Sequence, residues 1–147
     1  MFEIKISGMD EAKYLGEKWA TRTISILDPG ENIILNNTKH MATYFEDTTD
    51  NKNKSAPSLA NVCVILASAT LCQDYDNLLV HCKDGISKSP SMVIGILIQN
   101  GFTPKEAIEK VAKEKGYDYV VDSSSPQFLY LNSSDNIMDL VKKKLNL

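Results

Sequence analysis

The sequence predicts an α/β fold in which helices cover a small sheet, and three observations lead to this prediction. Apolar runs typical of strands occur near the start of the chain and again at residues 77–82. Segments whose apolar residues recur at helical spacing lie between and after these runs. No segment repeats and no second domain is indicated, so the 147 residues predict one domain, 1–147.

The amino-terminal segments alternate between the two kinds of element. Phe2–Ser7 alternates apolar and polar residues and predicts a strand. Asp10–Trp19 carries apolar residues three and four positions apart and predicts a helix. Thr21–Leu27 predicts a second strand, which ends at the strong turn signal Asp28-Pro29-Gly30.

The next segments predict a strand, an exposed loop and an apolar helix. Met41–Phe45 predicts a short strand, and residues 46–56 are polar and rich in turn formers. Pro57 opens a helix that runs to about Cys72 and carries an apolar stripe that includes Cys63. We therefore expect both cysteines to belong to the core.

The second half of the chain predicts one further strand and several helices. Leu78–Cys82 predicts a central strand and Pro90–Asn100 the helix that follows it. Thr103–Gly116 predicts another helix, because it opens with a capping box and a proline at the first helical position and ends at glycine. Asp122–Pro126 predicts a linker, and Ser134–Leu145 predicts a last helix.

Composition narrows the functional classes. The chain is 43% hydrophobic and 24% charged with a net charge of −3, which is typical of a soluble domain and does not favour nucleic acid as a partner. No apolar run reaches the roughly 18 residues needed to cross a bilayer. The three cysteines lack metal-type spacing and indicate reduced thiols. We expect a cytoplasmic monomer without metal, cofactor or membrane partner.

The segment from His81 to Pro90 carries the strongest functional signal. A cysteine ends an apolar strand, a short loop with one glycine follows, and a helix begins. Loop N–H groups and a helix N-terminus together cradle an oxyanion, and the same positive field favours a thiolate. Cys82 is therefore the candidate nucleophile for a reaction through a phosphocysteine. The phosphate loop, as we name residues 83–88, consists of Lys83, Asp84, Gly85, Ile86, Ser87 and Lys88.

This segment resembles the signature H-C-x5-R-[ST] of cysteine-dependent protein phosphatases, and His81 to Ser89 is most similar to the small dual-specificity (Ser/Thr/Tyr) branch. The resemblance implies a small central mixed sheet flanked by helices and a shallow site that hydrolyses a phosphorylated protein or another phosphomonoester. It further implies that Cys82 attacks phosphorus, that His81 supports the loop and that Ser89 donates a hydrogen bond to the thiolate. Ser89 is alternatively a helix N-cap.

Two positions depart from this signature. Lys88 stands where the family has arginine, and a lysine ammonium cannot grip two phosphate oxygens in a planar fork. The expected loss is on the order of 10²–10³ in rate, so a slow phosphatase and a phosphate-binding pseudophosphatase are both open hypotheses. Lys83 is a candidate to compensate in part for the lost bidentate contact, and the alternative is that its side chain points to solvent. Asp84 stands where most members have alanine, and with Gly85 it also resembles the loop of myotubularin-like phosphoinositide phosphatases.

A general acid must protonate the leaving oxygen. The resemblance places it on a loop about 30 to 40 residues before the cysteine. Asp47, in Phe45-Glu46-Asp47, lies 35 residues before Cys82 and is the first candidate; Asp50 is the second. A weaker alternative function is hydrolysis of a nucleotide or RNA 5′-phosphate, which the acidic charge balance does not favour.

Overall fold

The computed structural model describes residues 1–48, 50, 52–121 and 128–131. The chain divides into two compact units, Met1–Gly101 and Phe102–Leu147. The described part of the first unit contains a four-stranded sheet and three helices, and that of the second contains one helix and a two-stranded sheet. The single-domain organisation expected from the sequence stays a prediction.

The four strands of the first unit form a parallel sheet. They are β1 (Glu3–Ser7), β2 (Arg22–Leu27), β3 (Lys39–Tyr44) and β4 (Asn77–His81), arranged in the order β1-β4-β2-β3. Because every pair is parallel, the carboxyl ends of all four strands meet at one edge, which we call the carboxyl edge. Asp28, Phe45 and Cys82 follow directly after three of these strands, so the topology brings them to that edge.

Helices α1 (Met9–Lys18), α2 (Leu59–Thr70) and α3 (Lys88–Gln99) cover the sheet. The inner strands β2 and β4 are buried from their second residue to their last, as expected for a parallel sheet with both faces covered. Leu27 and Leu79 pack with α1 on one face. Since side chains alternate along a strand, Leu78 and Val80 point to the opposite face, where α2 and α3 pack.

The second unit is built around α4 (Pro104–Lys115). Thr103 and Glu106 form the predicted capping box, and Gly116 ends the helix in the left-handed conformation at φ 66°. The helix packs with β5 (Tyr119–Val121) and β6 (Phe128–Leu131), which pair antiparallel. The linker expected over 122–126 and the helix expected over 134–145 lie outside the described residues.

The α/β fold class predicted from the sequence is confirmed, and the strands and helices predicted within the described residues form. Within the described residues, the strands of the four-stranded sheet pair in parallel, and β5 and β6 pair antiparallel in a sheet of their own. Across the described stretches of chain, no helix is both long enough and apolar enough to cross a membrane.

Two local predictions were wrong. Cys63 is exposed and Cys72 only half-buried, so neither belongs to the core. Helix α2 is apolar on most of its surface, and its contacts with β3 and α3 rather than its pattern select Ile65 and Ala69 as the buried positions. The N-cap of α3 is Ser87, because the helix begins at Lys88, two residues earlier than predicted.

Candidate active site

Cys82 lies at the end of the inner strand β4 with its thiol held by two neighbours. The Gly85 N–H donates a hydrogen bond to Cys82 Sγ at 3.2 Å, and Ser89 Oγ lies 3.2 Å from the same sulfur. The side chain is 3% exposed. The sulfur is thus in contact with one backbone N–H and one hydroxyl, both from the segment that follows it in the chain.

Gly85 cannot be replaced without moving the phosphate loop. Its φ is 70°, and a Cβ built there would lie 2.6 Å from the Ser7 carbonyl carbon and 2.7 Å from the Gly8 nitrogen. The loop therefore packs backbone against backbone on the junction between β1 and α1. The Met9 N–H also donates to the Lys83 carbonyl at 2.8 Å, which fixes the loop to the start of α1.

This contact orients a donor of the loop. In a trans peptide the C=O and the N–H point in opposite directions. Because the Lys83 carbonyl points to Met9, the N–H of Asp84 points away from α1. Among the described residues, no hydrogen bond involves the backbone N–H of Lys83, Asp84 or Ser87. The loop thus presents backbone donors for an anion.

His81 lies beneath the loop and is fully buried. Its Nδ1 lies 3.2 Å from the Cys82 carbonyl and its Nε2 2.6 Å from Ser25 Oγ. Burial lowers the pKa of His81, so the neutral ring is favoured. Ser25 is a polar residue in the middle of an apolar strand, and this was the only sequence signal that could have identified it.

A cavity of about 540 Å³ opens above Cys82. The phosphate loop lines one side, and Asp28, Glu46 and Asp47 line another. The structure thus brings Cys82, Asp47 and Lys88 to one cavity, with Ser89 and His81 buried behind its wall. Cavity residues from the loop segment are Cys82, Lys83, Asp84, Ile86, Ser87 and Lys88.

The two candidate acids differ in their surroundings. Asp47 is exposed and lines the cavity. Asp50 is not among the lining residues, and its Oδ1 accepts the Lys52 N–H at 3.0 Å. The neighbouring Glu46 is tied into its own loop, because its carboxylate accepts from Asn53 Nδ2 at 2.7 Å. Asp47 is therefore the carboxylate in this segment placed to reach a bound substrate.

Lys88 is buried, and its ammonium is directed at a carboxylate. Nζ donates to Asp28 Oδ1 at 2.6 Å and to the Phe45 carbonyl at 3.0 Å. It also lies 5.6 Å from the centre of the Phe45 ring. Asp28 was predicted only as a turn residue. Its position directly after a strand of a parallel sheet was the signal for a role at the site.

The remaining charges of the cavity wall are exposed. Lys83 Nζ lies 3.7 Å from Glu31, and Asp84 is exposed on the loop. The single arginine of the chain, Arg22, starts β2 and pairs with Asp76 at the opposite, amino edge of the sheet. No arginine therefore reaches this cavity. Across the described residues, no group of three His, Cys, Asp or Glu side chains could hold a metal ion.

Comparison with solved structures addresses the fold. The chain superimposes on Tk-PTP in its active form with a TM-score of 0.56 at 12% identity, covering 98% of this chain and 91% of that one. PTPMT1 gives a TM-score of 0.56 at 19% identity, covering 98% and 94%. The fold is that of protein tyrosine phosphatase-like proteins. The G95A mutant form of Tk-PTP is similar to the same degree, at 13% identity.

At the level of sequence, the carboxyl-terminal part of the chain matches a known family. Residues 103–145 match the family model described as Outer membrane protein (OmpH-like). The match covers less than a third of the chain and lies outside the four-stranded sheet and the phosphate loop. No curated protein matches the chain.

Proposed function

We propose that this protein hydrolyses phosphate monoesters through a phosphocysteine intermediate on Cys82. The observation that carries this proposal is the placement of Cys82 Sγ between the Gly85 N–H and Ser89 Oγ at the base of the cavity. This is the arrangement that a thiolate nucleophile beside a bound oxyanion requires. The protein tyrosine phosphatase-like fold supports it.

In the first step the Cys82 thiolate attacks phosphorus in line, so that the S–P bond forms as the bond from phosphorus to the ester oxygen breaks. Asp47 gives its proton to that oxygen, which leaves as an alcohol. The loop N–H groups and Lys88 neutralise the three phosphoryl oxygens. In the second step Asp47 takes a proton from water, whose oxygen attacks phosphorus. As this O–P bond forms, the S–P bond breaks and its electron pair returns to Cys82; phosphate leaves, and Ser89 stabilises the released thiolate.

For the substrate, we propose phosphoserine, phosphothreonine and phosphotyrosine in a protein. The open cavity and the exposed Ile86 at its rim fit a phosphorylated side chain on an extended peptide. The dual specificity follows from the likeness of the loop to that branch of the family.

The second candidate is a phosphate-binding protein without useful turnover. It is favoured by the contact between Lys88 Nζ and Asp28 Oδ1, because the cation that should stabilise the transition state is engaged by a carboxylate. A lysine in this position attracts an anion as a point charge but lacks the planar fork of arginine.

Hydrolysis of para-nitrophenyl phosphate by wild type and Cys82→Ser separates the two candidates. We expect slow turnover by wild type and none above background in the variant, because a serine hydroxyl is not ionised at neutral pH. A silent wild type that still binds tungstate supports the binding protein. Wild type and Cys82→Ser turning over alike would exclude Cys82 as the nucleophile.

A further inference from the structure

Ser25 lies between the two histidine rings of the chain. Its Oγ is 2.6 Å from His81 Nε2 and 2.7 Å from His40 Nε2. Ser25 is fully buried in the inner strand β2, whereas His40 lies on the edge strand β3 and keeps part of its ring in solvent. We call these three residues the histidine relay. It connects the protein surface to the residue that precedes the candidate nucleophile.

The direction of every hydrogen bond in the relay can be derived. The Cys82 carbonyl can only accept, so His81 Nδ1 carries the proton and donates to it. In a neutral His81 ring Nε2 then has no proton, so it accepts from the Ser25 hydroxyl. Since that hydroxyl has one proton, its oxygen accepts from His40 Nε2–H. Each hydrogen bond polarises and strengthens the next one, from His40 to the Cys82 carbonyl.

The end of the relay acts on the phosphate loop. The Cys82 carbonyl and the Lys83 N–H belong to one planar trans peptide and point in opposite directions. Because His81 draws the carbonyl beneath the loop, the Lys83 N–H points away from His81. Met9 orients the next peptide in the same manner, through the Lys83 carbonyl. Two successive loop N–H groups are therefore oriented by hydrogen bonds from His81 and Met9 to the carbonyls of their peptides.

We propose that Ser25 and His40 are positioning residues of the active site, acting through His81 on the Cys82–Lys83 peptide of the phosphate loop. This inference rests on the proposed function only for the identity of the anion that the loop receives. The charged group beside the relay is Glu31, in the segment that follows β2, and its carboxylate interacts electrostatically with His81. Arg22 is paired with Asp76 at the amino edge.

The test measures the reactivity of Cys82 rather than turnover. The intact protein is treated with iodoacetamide at pH 7, and modification of the peptide that contains Cys82 is followed by mass spectrometry. The exposed Cys63 is the internal control, because it lies on α2 outside the relay. Tungstate affinity is measured on the same samples.

Four variants separate positioning from stability. Ser25→Ala breaks the relay at its centre, and His40→Ala breaks it at the surface. His40→Gln keeps an N–H donor close to the position of Nε2. Thr23→Val is the matched control, because Thr23 is buried two residues earlier on the same face of β2 and its hydroxyl pairs at 3.0 Å with Thr38 instead.

We expect Ser25→Ala to slow the alkylation of Cys82 by about threefold to tenfold, the effect of one ordinary hydrogen bond. We expect a smaller loss in His40→Ala and recovery in His40→Gln. The Ser25→Ala/His40→Ala double variant should be no slower than Ser25→Ala, because His40 acts through Ser25. Tungstate affinity should fall in the same order, while Cys63 and Thr23→Val keep wild-type rates.

The proposal is overturned if His40→Ala and His40→Gln alkylate alike, or if Thr23→Val slows Cys82 as much as the relay variants. His40 is partly exposed, so its variants decide the question even if Ser25→Ala does not fold. A wild-type protein that turns over no aryl phosphate but shows the expected order of alkylation rates would remove the proposed function and leave the relay in place.

Discussion

Two ion pairs lie at opposite ends of β2 and differ in how completely they are satisfied. At the amino edge, Asp76 accepts from the Gln73 N–H at 2.8 Å, from Thr21 Oγ at 2.6 Å and from Arg22 Nε at 3.2 Å. These donors, the Gln73 N–H first, hold the pKa of Asp76 below its ordinary value. The Asp76 side chain is 7% exposed, so this pair is a closed structural contact.

At the carboxyl edge, Lys88 pairs with Asp28, whose side chain is 39% exposed and faces the cavity. The carboxylate has Lys88 as its cation, and an incoming phosphate can compete for that cation. The comparison teaches that the chain places its one arginine in a pair closed off from solvent, and a lysine in a pair whose carboxylate stays open to the cavity. A lysine ammonium exchanges partners more readily because it makes no bidentate contact.

The largest expected effect comes from giving the carboxyl edge an arginine. Lys88→Arg should raise kcat/KM for para-nitrophenyl phosphate by about 100-fold, because the guanidinium can bind two phosphoryl oxygens in the transition state. Lys39→Arg, at the start of β3 on the amino edge, is the control and should change nothing. An unchanged or lower rate in Lys88→Arg would mean that Asp28 retains the cation whichever residue supplies it.

The next effect breaks the amino-edge pair. Asp76→Asn should lower the free energy of unfolding by about 2 kcal/mol, because charge-assisted hydrogen bonds from Gln73, Thr21 and Arg22 are weakened together. Urea unfolding measures this loss. Tungstate affinity of the folded protein should stay at its wild-type value. A loss of affinity without a loss of stability would contradict the assignment of this pair to structure alone.

A smaller effect is expected when the carboxyl-edge pair is opened. Asp28→Asn should tighten tungstate binding by about twofold to fivefold, because the anion no longer competes with the Asp28 carboxylate for Lys88 and an ion pair with an exposed partner is worth at most about 1 kcal/mol. Isothermal titration calorimetry gives the affinity, and Asp76→Asn is the matched control. Weaker binding in Asp28→Asn would show that Asp28 supports Lys88 instead of withdrawing it.

The smallest effect concerns pH. Burial lowers the pKa of both histidines below 6.5, so the unfolded chain binds protons that the folded protein does not. Stability should therefore fall as pH drops below 6.5, with Tm lower by roughly 2 to 5 °C at pH 5. The contribution of Asp76 to stability is fully present above pH 3.8 and is lost only at lower pH. His40→Gln should reduce the slope between pH 7 and 5, and an unchanged slope would contradict a contribution from His40.

The sequence predicted the fold class and the chemistry of the loop because both depend on local signals. Alternation, capping residues and a single glycine after Cys82 identify strands, helix starts and a loop that can curl around an anion. The cavity does bring Cys82, Asp47 and the phosphate loop together, although their catalytic roles remain predictions. The buried face of α2 could not be predicted, because that helix is apolar on most of its surface; Cys63 lies off its packed side, and Cys72 follows the end of the helix.

The sequence by itself determined which groups are available: one cysteine directly after a strand, one glycine in the loop that follows, a lysine in place of the arginine of the signature, and a single arginine elsewhere. Only the tertiary structure decided which of them meet. Asp28 reaches Lys88 across 60 residues, and Ser25 reaches His81 across 56, because β2 and β4 are neighbours in a parallel sheet. Such pairings depend on strand order, and strand order is set by packing over the whole sheet rather than by any local pattern.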